Sequence, residues 1–186
     1  MTDGRLASGS WDKTIRLWDV TSGVEVALLD PHTNWVTGLI LMPDGRLVSG
    51  SSDGTIRLWD AKNGAAEIRR MEENAGATQG LCMLPDGRLA SRSWDHEIRL
   101  WDIDGGSKSA RLEGHRGSVS ALCALGEGRL ASGSQDRTIR LWDLKTGKET
   151  ARLETDAPIL CLVDLPSGGL VAGDAIGRLH WLEIVE

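Results

Sequence analysis

Two sets of residues have the types needed for acyl transfer: His32, Ser49 and Asp53, and His115, Ser132 and Asp136. In both, His precedes Ser by 17 residues and Ser precedes Asp by four. A serine activated by a histidine that a carboxylate orients is the machinery of covalent hydrolases. Catalysis, however, requires one unique preorganised site. Here the set is duplicated at identical spacing, and each copy runs on to a tryptophan, Trp59 or Trp142. No Gly-x-Ser-x-Gly or phosphate loop occurs, and Ser8-Gly9-Ser10 reads as strand rather than nucleophile elbow.

The other reactive side chains are also register marks. Cys82, Cys123 and Cys161 fall at one point of a repeating segment where Ile40 stands in another copy. They read as small core side chains. No Cys-x-x-Cys accompanies them, and equivalent points of separate units are too distant for disulfides, so neither metal nor cofactor is expected. Asp12, Asp53, Asp95 and Asp136 sit at turns, and Asp19, Asp60, Asp102 and Asp143 each follow a tryptophan. Paired carboxylates for glycoside chemistry would not recur in this way. Arg16, Arg57, Arg99 and Arg140 recur as well, with stems expected to cover surface and charges in water.

The elements that position these residues come from a repeat. DGRLASGSWDKTIRLWD at 3–19 returns as DGRLVSGSSDGTIRLWD at 44–60, DGRLASRSWDHEIRLWD at 86–102 and EGRLASGSQDRTIRLWD at 127–143. The steps are 41, 42 and 41 residues, and a worn copy, SGGLVAGDAIGRLHWLE, follows at 167–183. Eight tryptophans with no tyrosine and no phenylalanine fit the copying of one unit. A period near 40 with a terminal Trp-Asp marks a four-stranded propeller blade. The local pattern agrees, because Leu47–Gly50 and Thr55–Trp59 read as strands joined at Ser52-Asp53-Gly54. Val36–Leu41 reads as an inner strand ending at Pro43-Asp44-Gly45, and Ala66–Arg70 as a polar outer strand. The expected class is all-β, with three strands in the first unit, four in each of the next three and three in the last. The units run about 1–29, 30–71, 72–113, 114–154 and 155–186.

The copies resemble the WD-repeat β-propeller family over essentially the whole chain, and their wording is similar to recently duplicated bacterial repeats. The resemblance implies a structural tetrad of His, Ser or Thr, Asp and Trp. It maps onto His32, Ser49, Asp53 and Trp59, onto His115, Ser132, Asp136 and Trp142, and partly onto Ser91, Asp95 and Trp101. Asn74 replaces the third histidine. In the last unit Ala172, Ile176 and Leu182 take the Ser, Asp and Trp positions, so its tetrad is expected to be lost.

Three tryptophans depart from the repeat. Trp11 and Trp94 precede the turn Asp where other copies have Ser52 and Gln135. Trp35 begins an inner strand where others have Ala77, Ser118 and Pro158. The resemblance places both positions on the face by which propellers of this family bind partners, together with Arg116 and with Arg92, which replaces a glycine. The expected partner-binding set is Trp11, Trp35, Ser52, Arg92, Trp94, Arg116 and Gln135.

A net charge of −6 argues against nucleic acid as partner. No apolar run approaches the roughly 18 residues of a membrane span. The first residues lack the pattern of a secretory signal, which makes the cytoplasm the expected compartment. The reading is a non-catalytic scaffold that binds proteins or peptides. The alternative is a ligand-sensing array regulating a signalling enzyme encoded upstream. A true enzyme would need a non-repeated polar cluster at the channel mouth, and none is visible. Three complete blades flanked by two partial ones imply the C-terminal part of a longer propeller. Open blade edges imply self-association of the isolated chain, with residues 36–143 best protected.

Overall fold

The computed structural model describes residues 4–72, 76–166 and 168–183. It contains five antiparallel sheets and no helix among the described residues. The first sheet is β1 (Arg5–Gly9), β2 (Ile15–Asp19) and β3 (Glu25–Leu29), and the second is β4 (Val36–Leu41), β5 (Leu47–Ser51), β6 (Thr55–Asp60) and β7 (Ala66–Glu72). The third comprises β8 (Thr78–Met83), β9 (Leu89–Ser93), β10 (Ile98–Asp102) and β11 (Ser107–Leu112). The fourth comprises β12 (Val119–Leu125), β13 (Arg129–Ser134), β14 (Thr138–Asp143) and β15 (Lys148–Glu154). The last is β16 (Ile159–Asp164), β17 (Leu170–Asp174) and β18 (Leu179–Leu182). Every strand pairs with its sequence neighbour, which is the meander of a propeller blade. The strand counts per unit are those the repeat predicts, so the chain is an incomplete β-propeller of four-stranded blades.

The chain forms two compact units: residues 1–81 with 103–107, and residues 82–102 with 108–186. In the first, Ile15, Leu17 and Leu29 pack against Val36, Leu47, Trp59 and Ala61, joining the first sheet face to face with the second. In the other, Ala90, Ile98, Leu100 and Leu112 pack on Val119, Leu130 and Trp142, while Ala131 and Ile139 meet Ile159, Leu170 and Ala172. In the fourth sheet the period-2 alternation thus sends Leu130 and Trp142 to one neighbouring sheet and Ala131 and Ile139 to the other. Close approach is achieved by glycine on the second strand: a Cβ on Gly133 would lie 2.3 Å from Ile159 Cγ2, and one on Gly50 would lie 2.7 Å from Thr78 Cγ2.

The Asp that follows Trp18, Trp59 and Trp142 caps the turn after β2, β6 and β14. Asp19 Oδ1 accepts the Ser22 amide at 2.7 Å, Asp60 Oδ1 that of Asn63 at 3.0 Å, and Asp143 Oδ1 that of Thr146 at 2.7 Å. These bonds to the charged form hold all three carboxyls below the usual carboxylate range.

Candidate functional site

In the second sheet the Trp59 indole N–H donates to Ser49 Oγ at 2.9 Å, and His32 Nε2 lies 2.8 Å from the same oxygen. His32 Nδ1 is 2.9 Å from Asp53 Oδ2, which also accepts the Thr33 amide. Asp53 Oδ1 accepts the Thr55 hydroxyl at 2.6 Å and the Thr55 amide at 2.9 Å. Because Ser49 receives the indole proton, its own proton goes to Nε2, and Nδ1–H then donates to the carboxylate. The fourth sheet repeats this: Trp142 to Ser132 at 2.8 Å, His115 Nε2 to Ser132 at 2.7 Å and Nδ1 to Asp136 Oδ2 at 2.9 Å.

The connectivity is that of a hydrolytic triad, but Ser49 and Ser132 are 0% exposed and their oxygens are occupied by indoles. No substrate carbonyl can reach them. The chain of bonds fixes blade geometry instead. Burial pushes both histidines down toward the neutral form, while hydrogen bonds hold Asp53 at about 2 and keep Asp136 well below its usual value.

The other sheets vary the set. In the third, Trp101 donates to Ser91 at 2.9 Å, and Arg99 pairs with Asp95 and, at 3.0 Å, with Glu97. Asn74 lies outside the described residues. In the first, Trp18 donates to Ser8 at 2.8 Å and Asp12 caps Thr14, a partial tetrad the sequence reading did not assign. In the last, Ala172 pairs with His180 across the ladder, and His180 Nε2 lies 2.9 Å from the buried Asp174. That His–Asp pair was also missed, although Asp174 replaces the serine of Ser-Gly-Ser and so marks a changed position.

Two expectations need correction. Arg57, Arg99 and Arg140 do not keep their charges in water: they are 7%, 0% and 3% exposed. Arg57 and Arg140 each meet a carboxylate of the outer strand, Glu67 or Glu149, at 2.6 Å. Only Arg16 stays partly open. Of the cysteines, Cys82 and Cys123 are half-buried with thiols pushed up by burial, but Cys161, on β16 of the last sheet, is exposed.

The structure brings together two of the predicted partner-binding residues. Trp11 and Trp35 stack with ring centroids 4.8 Å apart and planes 16° from parallel, while 71% and 45% exposed. The Val36 amide donates to Ser10 O at 3.0 Å and docks the start of β4 on the β1–β2 turn. Ser52 is half-buried beside them, its amide donating to Trp35 O at 2.8 Å. In the second unit Trp94 is 65% exposed, and Arg116 and Gln135 are exposed. Ser134 Oγ and the Gln135 amide bond Gly117 O and Ser118 O, stitching the loop of Arg116 to the turn of Gln135. Arg92 is committed elsewhere: it is half-buried and donates to Val119 O at 3.0 Å.

Five meander sheets, packed face to face within each compact unit, with a buried Trp–Ser–His–Asp chain in two of them, define a β-propeller. Residues 2–19, 23–60 and 69–102 match the WD domain, G-beta repeat family, and residues 115–184 match the TEP-1 C-terminal beta-propeller. The chain thus carries WD repeats within a β-propeller, and WD-repeat propellers are in general non-catalytic scaffolds for protein interactions. Among solved structures it is similar to the computationally designed Ika8 protein, at 28% identity and a TM-score of 0.86. It covers 99% of this chain and 57% of that one. A chain of the Mitotic Checkpoint Complex matches at 22% identity and a TM-score of 0.89, over 98% of this chain and 58% of its own length. The second likeness is one of fold alone. The chain spans a little over half the length of each.

Proposed function

We propose that this chain is a protein- or peptide-binding module without catalytic activity, and that the stacked Trp11–Trp35 pair is its main anchor. The pair carries the reading because large aromatic rings kept in water are costly and are favoured at binding hot spots. Stacking also immobilises both rings before binding, which lowers the entropy cost of an interface. Trp94, with Arg116 and Gln135, offers a second contact area on the other unit. Exposed apolar side chains on the first and last sheets, Leu6, Leu28, Leu179 and Trp181, support self-association as a further mode. Three free cysteines are in keeping with a reducing, cytoplasmic setting.

Peptides selected on the immobilised chain from a displayed random library supply the test. The Trp11→Ala/Trp35→Ala variant should weaken the selected peptides at least tenfold with its thermal melt little changed. Undiminished affinity in a folded variant overturns the assignment.

A further inference from the structure

The second and fourth sheets each hold a polar pocket between the turn that carries the tetrad Asp and the outer strand. In the second it encloses about 290 Å³, lined by Asp53, Gly54, Thr55, Arg70 and Glu72 among others. In the fourth it encloses about 370 Å³, and its lining includes Arg116, Arg137, Arg140, Arg152, Glu154 and Asp156. Where the copies align, Arg137 stands in place of Gly54 and Arg116 in place of Thr33. One repeat has therefore acquired two guanidinium groups at a pocket that its sister copy leaves without them.

Neighbouring charges decide what those groups can do. Asp136 is saturated from inside by His115, Thr138 and the Arg116 amide. Glu149 holds Arg140 at 2.6 Å and Arg152 at 2.9 Å, and Asp156 pairs with Arg178 at 2.6 Å. Among the described residues, neither the Arg116 nor the Arg137 side chain is hydrogen-bonded or ion-paired. Glu154 is the remaining unpaired carboxylate of the lining, so the free charge favours an anion.

The backbone that carries both arginines is fixed. The Arg116 amide bonds Asp136 Oδ2 at 2.9 Å. A Cβ on Gly117 would sit 2.7 Å from the Asp136 amide nitrogen, so the loop can press against the turn only as glycine. The Thr155 amide and hydroxyl both donate to Arg137 O, at 2.8 and 3.0 Å.

We propose that this pocket is an oxyanion site for a phosphoryl group borne on a serine or threonine side chain of a bound peptide. Two planar forks with five N–H donors each match a tetrahedral dianion better than a single carboxylate. The pocket opens at the surface, so a side chain can enter while its backbone stays outside. The peptide source rests on the peptide-binding reading above, whereas the anion site does not.

NMR titration separates the possibilities, with acetyl-Gly-Gly-phosphoSer-Gly-Gly-amide, its Ser and Asp counterparts and inorganic phosphate as probes of the intact chain. The phosphopeptide should bind at least tenfold tighter than the Ser and Asp peptides and shift the Arg116 and Arg137 side-chain resonances. Arg116→Gln/Arg137→Gly should abolish that preference, with the fold checked by its amide spectrum, and Trp11→Ala/Trp35→Ala should leave it intact. Equal affinity for the three peptides, or a preference that survives the arginine substitutions, overturns the site. Inorganic phosphate binding as tightly as the phosphopeptide overturns the peptide source. Loss of the preference in the tryptophan variant overturns the site's independence of that pair.

Discussion

Ser132 Oγ lies 2.7 Å from His115 Nε2, the hydrogen bond of an activated nucleophile, yet the serine is fully buried and Trp142 occupies its oxygen at 2.8 Å. What reads as catalytic machinery is a bracket linking two strands, the turn between them and the loop between two sheets.

That bracket sets the first prediction. Trp142→Ala should destabilise the chain by about 3–5 kcal/mol, through lost burial and the cavity left behind. Ser132→Ala, which strands the indole N–H and the imidazole, should cost about 1–3 kcal/mol. Trp11→Ala, at an exposed site, should cost far less. Urea unfolding followed by circular dichroism measures all three, and a Trp142→Ala loss below 1 kcal/mol contradicts the tetrad's structural role.

Acidification should act in two stages. The folded values of His32 and His115 lie below the ordinary 6.5, so the unfolded chain takes up their protons first. Their contribution is complete above pH 6.5 and drains away below it. Asp53, at about 2 when folded against 3.8 ordinarily, contributes above pH 3.8 and loses that contribution between there and pH 2. Asp136 acts in the same direction. Urea midpoints should therefore fall from pH 7.5 to 5.5 and again from 4.5 to 2.5. His115→Gln should shrink the first fall, and a midpoint flat across pH 7.5–5.5 would refute the buried neutral histidines.

Gly133→Ala should destabilise by about 1–3 kcal/mol, because its new methyl meets Ile159 Cγ2 at 2.3 Å between two packed sheets. Gly126→Ala, where a Cβ would meet nothing within 4 Å, is the control and should be nearly neutral. Equal losses at the two positions would contradict the face-to-face packing of the fourth and last sheets.

The β13–β14 turn makes a backbone prediction. Arg137 has φ +64° and its counterpart Gly54 has φ +80°. Arg137→Gly should therefore leave stability unchanged or slightly raised, whereas Gly54→Val should cost about 1–2 kcal/mol by forcing a β-branched residue into the left-handed region. Thermal melts of the two variants decide it.

Much of this architecture was legible in the sequence, because the repeat constrains it. A step of 41 or 42 residues, the turn glycines and the alternating strands imply five meander sheets with strand counts of three, four, four, four and three. The tetrads were legible too, since every member recurs at fixed spacing. Less legible were residues whose partners lie outside the well-kept part of the repeat. The burial of Arg57 and Arg140 depends on Glu67 and Glu149, which sit opposite Trp59 and Trp142 on the next strand, in an outer segment where the copies diverge. The His180–Asp174 pair appears where the repeat pattern fails.

The sequence by itself determined the blade, because hydrogen bonding within a meander and the pattern of apolar residues are local and are written into each copy. Only the tertiary structure decided which exceptional residues meet. Trp11 and Trp35 lie 24 positions apart on different sheets, and they stack because sheet-on-sheet packing carries the start of β4 onto the β1–β2 turn. Arg116 and Arg137 share a pocket because a loop closes on a turn at Gly117. Such meetings depend on distances between elements, which local sequence periodicity does not encode.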